Sequence, residues 1–323
     1  RSTLFPYTTL FRSPAGKMDK VIFFHMNQLG DLLFSLPVLK AAKKQGSVKV
    51  ISVVSSSLSP LLTSSGLADE IIPKNMPLLR LIRNVKKEKA GKAVLFSESP
   101  GSLFAAYLSK ITERIGFESA SFSFLLTKKA ERKGVPSPAN NIALGRRAGF
   151  ENIQKDYTGI LKIPGKNMLD ARKWFEKNNL DPAKTAAISS GASKKRMNKC
   201  LSANKWAEII DLLDKAGLCC VLAGAPWEKA GMNEIALKCA KRPAVFCAEG
   251  GILESAAFFS LSSLFIGTDS GAMHLAAAVG TKCAAIFGPT DPFQIGPMPL
   301  EKHIIIKKDK ISAVTARDII SRI

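Results

Sequence analysis

The sequence predicts an α/β protein of two similar halves, each a parallel sheet flanked by helices. Three observations predict it. Short apolar runs of strand length recur along the chain, among them Val21-Ile-Phe-Phe24 and Cys283-Ala-Ala-Ile-Phe287. Helix-length segments separate these runs, and that alternation marks parallel βαβ units. Loops carrying glycine and aspartate follow several runs directly, as at Leu29-Gly-Asp31, Gly267-Thr-Asp-Ser-Gly271 and Gly288-Pro-Thr-Asp291. In open α/β sheets ligands bind beyond the carboxyl ends of the strands, and two such halves imply a cleft between them.

In the first half, residues 21–24 read as a strand, 25–30 as a loop and 31–45 as a helix with apolar positions at Leu32, Leu33, Leu36 and Leu39. Pro37 falls within the first two turns of that helix, where a proline bends it. Residues 48–54, 70–72 and 92–96 supply further strands, with helical stretches near 78–89 and 101–110. The stretch 118–165 is less regular, punctuated by Pro136, Pro138 and Pro164, with a helix at 140–149. The boundary is placed near Ile163-Pro-Gly165, giving an N-terminal domain at 18–163 and a C-terminal domain at 164–323. The second half alternates more clearly. Its strands are expected at 185–189, 218–223, 244–247, 264–266, 283–287 and 303–306. Helices are expected at 202–216, 227–240 and 271–279, with a closing helix from Ser312.

Composition bounds what this fold can do. The 323 residues suffice for two domains of ordinary size, and 46% hydrophobic residues give each a sizeable core. The longest apolar candidate, 252–267, is broken by Glu254 and several serines, and falls short of the ~18–20 residues of a membrane span. A soluble protein that can still rest on a membrane is expected. The six cysteines, Cys200, Cys219, Cys220, Cys239, Cys247 and Cys283, form no C-x-x-C pair. This argues against a zinc ribbon and a disulfide framework, and for a reducing cytoplasm. The net charge of +21 fits a lysine-rich solvated surface, or a polyanionic partner such as nucleic acid, anionic lipid or a phosphorylated glycan. Residues 1–17 carry Thr-Leu-Phe twice and Arg-Ser at both ends of the first thirteen, which resembles translated adapter sequence and not a signal peptide. They are expected to be non-native, with the native chain starting at Met18.

The segment from Phe265 to Val279 carries the most chemistry. An apolar strand runs into Gly267-Thr-Asp-Ser-Gly271, and a helix starts there. Asp269 or Ser270 suits the N-cap. The exposed backbone N–H groups and the dipole of a helix start favour an anion, and Gly271 lets a phosphate approach the backbone. His274 falls about one turn further on. The plainer alternative is an ordinary capped turn with a surface histidine. A second loop, Gly288-Pro-Thr-Asp-Pro292, builds a rigid turn at the next strand end. Gly288, Thr290 and Asp291 are its candidate rim residues.

Together, Asp269-Ser-Gly-Ala-Met-His-Leu-Ala-Ala-Ala278 and Phe287-Gly-Pro-Thr-Asp-Pro292 closely resemble the motifs of glycosyltransferase family 9, the ADP-heptose:lipopolysaccharide heptosyltransferases. The N-terminus agrees, with a strand, a loop ending Leu29-Gly30-Asp31 and a helix with an early proline. The resemblance covers about residues 18–297 and is weakest at 100–165.

That resemblance implies a GT-B architecture, two Rossmann-like domains with parallel sheets facing a central cleft, and an inverting transfer. Asp31 would be the general base on an acceptor hydroxyl, although on its own it reads as a helix cap. Ser190-Gly-Ala-Ser193 resembles the first phosphate loop of the family's second domain. Lys199 matches the pyrophosphate lysine, but Leu201-Ser202 stands where many members have aromatic-proline, so Lys194, Lys195 or Arg196 are substitutes. Gly224-Ala-Pro-Trp-Glu228 resembles a motif whose glutamate meets the ribose; alone, Glu228 reads as an exposed first-turn residue. Donor binding would therefore fall to Ser193, Lys199, Glu228, Asp269, Ser270, Gly271 and His274. With no D-x-D motif and only three scattered histidines, the resemblance implies neither metal nor cofactor, the nucleotide sugar being a substrate.

The implied partners are ADP-heptose or a related nucleotide sugar, a lipid A–core glycan and an anionic membrane surface. Basic residues in 80–92 and 128–147 are candidate contacts for the last two. The implied location is cytoplasmic, peripheral on the inner face of the cytoplasmic membrane. A nicotinamide dehydrogenase shares the fold type, but no G-x-G-x-x-G follows a strand. A nucleic-acid-binding protein fits the charge, but no such module appears. A sugar-nucleotide epimerase, consuming donor without acceptor, is the nearer enzymatic alternative.

Overall fold

The computed structural model describes residues 19–133, 137–191 and 200–323. They form two six-stranded sheets in which every paired strand is parallel. The first holds β1 (Asp19–Phe24), β2 (Val48–Val54), β3 (Glu70–Pro73), β4 (Lys92–Leu95), β5 (Glu113–Phe117) and β6 (Lys128–Ala130), in the order β3-β2-β1-β4-β5-β6. The second holds β7 (Thr185–Ser189), β8 (Cys219–Gly224), β9 (Ala244–Cys247), β10 (Leu264–Thr268), β11 (Cys283–Phe287) and β12 (Ile304–Lys307), in the order β12-β11-β10-β7-β8-β9. Read backwards, the second order repeats the first, with β7 in the place of β1 and β10 in the place of β4. Each sheet therefore reverses direction once, between β1 and β4 and between β7 and β10. At such a reversal a doubly wound sheet opens a crevice.

The helices of the first half are α1 (Leu29–Lys44), α2 (Ser59–Ser65), α3 (Leu78–Lys87), α4 (Pro100–Leu108) and α5 (Ser137–Arg147). Those of the second are α6 (Gly165–Lys177), α7 (Ala203–Lys215), α8 (Lys229–Lys238), α9 (Ile252–Leu261), α10 (Gly271–Ala278), α11 (Pro292–Ile295) and α12 (Ala316–Ile320). Strands covered on both faces must be apolar on both, and β7, β10 and β11 are buried along their whole length.

The sequence led us to expect one core per half. Two clusters do belong to one half each, but a third crosses the boundary, joining Leu33 and Phe34 of α1 to Met273 and Leu275 of α10. Helix α1 packs on α10, and α2 on α9. The segment leading to α6 also lies against the second half. Tyr157, fully buried, accepts the Met298 N–H at 3.2 Å, and Asp156 pairs with Lys302 at 2.8 Å.

Some elements differ from expectation. Helix α1 begins at Leu29, not Asp31. Gln28 is its N-cap residue, and the Leu32 N–H bonds the Gln28 carbonyl at 3.1 Å. Asp31 is therefore a first-turn residue and not the cap, and Pro37 lies mid-helix. The helix at 140–149 starts earlier, at Ser137. Strand β5, the edge strand β6 and helices α2, α6, α9 and α11 lay outside what the sequence predicts.

Candidate active site between two helix starts

The site begins at the carboxyl end of β1. His25 follows the strand and is fully buried, its ring stacked on Phe96 at 5.6 Å. Ser35 Oγ donates to the Leu32 carbonyl at 2.6 Å, so it accepts from His25 Nδ1 at 2.9 Å. The other ring nitrogen then accepts from Ser52 Oγ at 3.2 Å. Burial, helped by the nearby Lys74 ammonium, pushes the pKa of His25 down to about 3, so the imidazole is neutral. This floor fixes the loop that leads into α1 and Asp31, a half-buried residue in the third helical position.

The second half supplies the facing element. Strand β10 ends at Thr268, and Asp269 and Ser270 lead into α10. The N-cap is Ser270, yet its side chain makes no capping bond. Its hydroxyl is buried and has no hydrogen-bond partner among the described residues, as is the case for Thr268. Leaving such a group unmade costs about 1–3 kcal/mol. Asp269 is buried, and its carboxylate accepts from Thr290 Oγ1, on the loop after β11, at 2.9 Å.

The two helix starts touch. A Cβ on Gly30 would stand 2.7 Å from His274 Cδ2, and one on Gly271 would stand 3.2 Å from the Leu29 Cβ. A side chain at Gly30 would have to displace the His274 ring, and one at Gly271 would press on Leu29. His274 is not a surface histidine. It is buried, edge-on to Phe34 at 4.8 Å. The Tyr157 hydroxyl, already accepting from Met298, has its own proton left for His274 Nδ1 at 2.9 Å. The remaining ring nitrogen then carries a proton and faces the start of α1. Two positive helix ends thus converge beside Asp31 and Ser270.

Other motif residues line neighbouring strand ends. Glu228 is half-buried, not an exposed first-turn residue; its carboxylate accepts the Ala225 N–H at 2.8 Å. Side chains on Gly191, after β7, or Gly224, at the end of β8, would collide with that carboxylate. Burial raises its pKa, and the Ala225 bond opposes the rise. Of the rim residues, Thr290 joins the site through Asp269. Asp291 caps α11 by accepting the Phe293 N–H at 2.9 Å, and Gly288 gives Ile311 room. Ser193 and Lys199, with Lys194, Lys195 and Arg196, lie outside the described residues.

The sequence reading missed His25 as a site component, and with it Tyr157 and Lys74. His25 has one local signal, a polar residue directly after an apolar strand. Tyr157 has none, because its role depends on two distant segments meeting.

Two facing Rossmann-like halves, with opposed helix starts in the seam, define a GT-B fold. The sequence model of glycosyltransferase family 9 (heptosyltransferase) matches residues 78–318, and the chain belongs to that family. Two curated relatives, both named lipopolysaccharide heptosyltransferase 3 and both from Escherichia coli, are similar over shorter stretches. One is 38% identical over 97 residues, 29% of this chain; the other is 30% identical over 141 residues, 38% of this chain. The matched stretches span only 28% and 41% of those relatives. The glycosyl transferase family 9 structure from Veillonella parvula DSM 2008 superposes with a TM-score of 0.84 at 18% identity, covering 95% of this chain and 97% of that one. The E. coli heptosyltransferase WaaC with ADP does so with a TM-score of 0.73 at 19% identity, covering 94% and 98%. At such identities the likeness is one of fold.

Proposed function

We propose that the chain is an inverting glycosyltransferase that moves heptose from ADP-heptose to a lipopolysaccharide inner-core acceptor without a metal ion. The observation that carries the reading is the convergence of two helix starts, one bearing Asp31 and the other a buried, unpartnered Ser270 hydroxyl. A diphosphate suits that place, since it takes the N–H groups of α10 and the Ser270 hydroxyl together. Asp31 accepts the proton of the acceptor hydroxyl as its oxygen attacks the anomeric carbon and ADP departs. Charge on the leaving diphosphate falls to the α10 start, with Ser193 and Lys199 as its further partners. The buried Asp269 carboxylate repels phosphate and suits sugar hydroxyls. Glu228 suits the ribose. A solved relative's bound ADP agrees with a nucleotide donor.

The test is a panel of nucleotide sugars with core-glycan acceptors, read by product mass and anomeric configuration, with and without EDTA. Heptosylated, inverted product from ADP-heptose in EDTA is expected. Donor consumed with no glycosylated acceptor points to an epimerase instead. Turnover lost in EDTA and restored by Mg²⁺ overturns the metal-free scheme.

The proposal extends to location, peripheral on the inner face of the cytoplasmic membrane. Among the described residues no helix is long and apolar enough to cross a membrane. Helix α4 carries no charged residue and shows Tyr107 and Leu108 at the surface. It packs between α3, which exposes Leu79 at 80%, and the turn at Ser123–Leu125, which exposes Phe124 at 72%. Arg80, Arg83, Lys86 and Lys87 rim this patch from exposed positions on α3. Apolar tips inside a cationic rim suit an anionic bilayer. Sedimentation with phosphatidylglycerol vesicles, but not with phosphatidylcholine vesicles, is expected; equal recovery with both sinks the idea.

A further inference from the structure

The carboxyl ends of β1, β3 and β4 meet at a cation that the transfer scheme leaves unused. Lys74 directly follows β3, where its backbone N–H bonds the Val54 carbonyl at 2.7 Å. Its side chain reaches across the sheet. The ammonium donates to the carbonyl of His25, after β1, at 3.1 Å, and to Ser97 Oγ, after β4, at 3.1 Å. Strands β1 and β4 flank the reversal of strand order in the first sheet. Lys74 Nζ therefore sits where a sheet of this topology presents its ligand crevice.

The surroundings of this ammonium do not account for it. His25 is neutral, so it offers a carbonyl dipole and no charge. Ser97 Oγ passes its own proton to Ser99 Oγ at 3.0 Å and meets Lys74 with a lone pair. Glu98, close by in sequence, is taken by Arg132 at 3.1 Å and Ser119 at 2.7 Å. Among the described residues no carboxylate pairs with Lys74, and burial alone lowers its pKa. A half-buried ammonium held by two neutral acceptors is poorly compensated, and it has a third N–H to give.

We propose that Lys74 binds an anionic group of the acceptor, a carboxylate or a phosphate, at the reversal of the first sheet while Asp31 meets the acceptor hydroxyl. The loop after β1 links the two positions, with His25 at its start and Asp31 in the helical turn that ends it. This assignment rests on the first half being the acceptor half. The rival is a purely structural tie between the ends of β1 and β4. It predicts equal damage to every substrate when the lysine is lost.

The experiment compares three acceptors of one sugar skeleton, carrying a carboxylate, a phosphate or neither, in the wild type, Lys74→Met and Lys74→Arg. Lys74→Met should raise KM for one charged acceptor about ten- to hundredfold, the size of a charge-assisted bond. It should leave kcat, the neutral acceptor and ADP affinity nearly unchanged, and Lys74→Arg should restore most of the loss. Whichever charged acceptor responds identifies the group. Equal loss for charged and neutral acceptors, or no preference for charge in the wild type, overturns the assignment. If no acceptor is glycosylated, the transferase reading has failed, and binding decides the role of Lys74. Glucuronate or glucose 6-phosphate should then raise the melting temperature of the wild type but not of Lys74→Met, with glucose as the neutral control. No rise, or the same rise in both proteins, overturns it. Should Lys74→Met not fold, Lys74→Gln serves in both arms.

Discussion

The first strand of each half ends in a different chemistry. After β1 the chain gives a neutral, buried histidine, an ammonium resting on its carbonyl and then the Asp31 carboxylate. After β7 it gives Ser190 and Gly191, with Glu228 pressed against the glycine. The second half adds a helix start at β10, in the place that β4 holds in the first, where Ser270 leaves a hydroxyl without a partner. One frame is thus used twice. The first copy sets an ammonium and the Asp31 carboxylate around its strand ends, while the second sets the Glu228 and Asp269 carboxylates and an open hydroxyl around its own. Strand order fixes where a site falls, and the few residues after each strand decide what it holds.

If the halves divide the work in this way, Asp31→Asn has the largest effect. An amide is no base at neutral pH, and loss of a general base lowers rate about 10²–10⁴-fold. Gln28, not Asp31, is the N-cap residue, so the share of helix stability at stake through the dipole is about 0.3–1 kcal/mol. Melting temperature and ADP affinity should hold while kcat falls. A large change in ADP affinity would break the comparison, because it would place Asp31 in the donor half's task.

Gly30→Ala acts on the seam. The added methyl meets the His274 ring, which Phe34 and the Tyr157 bond hold from other sides. Overpacking of this kind costs about 1–3 kcal/mol. Thermal denaturation should show the loss, and KM for donor and acceptor should move together. A shift in only one would show that the helix starts are less tightly joined than their contact implies.

Ser270→Ala is the mildest and most selective change. It removes a buried hydroxyl that has no partner among the described residues, so the unliganded protein should keep or slightly gain stability. ADP affinity should fall by about 1 kcal/mol, near fivefold, by calorimetry. A loss of unliganded stability with unchanged ADP affinity would make Ser270 a structural residue.

The alternation of strands and helices was legible because parallel strands buried on both faces are apolar throughout, as Val21 to Phe24 is. Helix α9 was hidden for the same reason. Its Ile-Leu-Glu-Ser-Ala-Ala-Phe-Phe-Ser-Leu run is apolar nearly all round and lacks the two-faced contrast that marks a surface helix. Edge strand β6 has three residues, two of them lysine. The true start of α1 depends on Leu29 and Gly30 packing against the other half, which no local pattern encodes. In the site, Asp269, Ser270 and Asp31 were marked by motifs. Lys74 was not, because its place requires three strand ends that lie far apart in sequence.

The apolar cluster that runs from α1 into α10 ties the two halves together. Thermal melting should give a single transition, and ADP bound to the second half should slow amide exchange in α1 as well as α10. A fragment ending near residue 163 would leave the α1 face of that cluster in water. Deletions in this protein therefore test its folding before they test its chemistry.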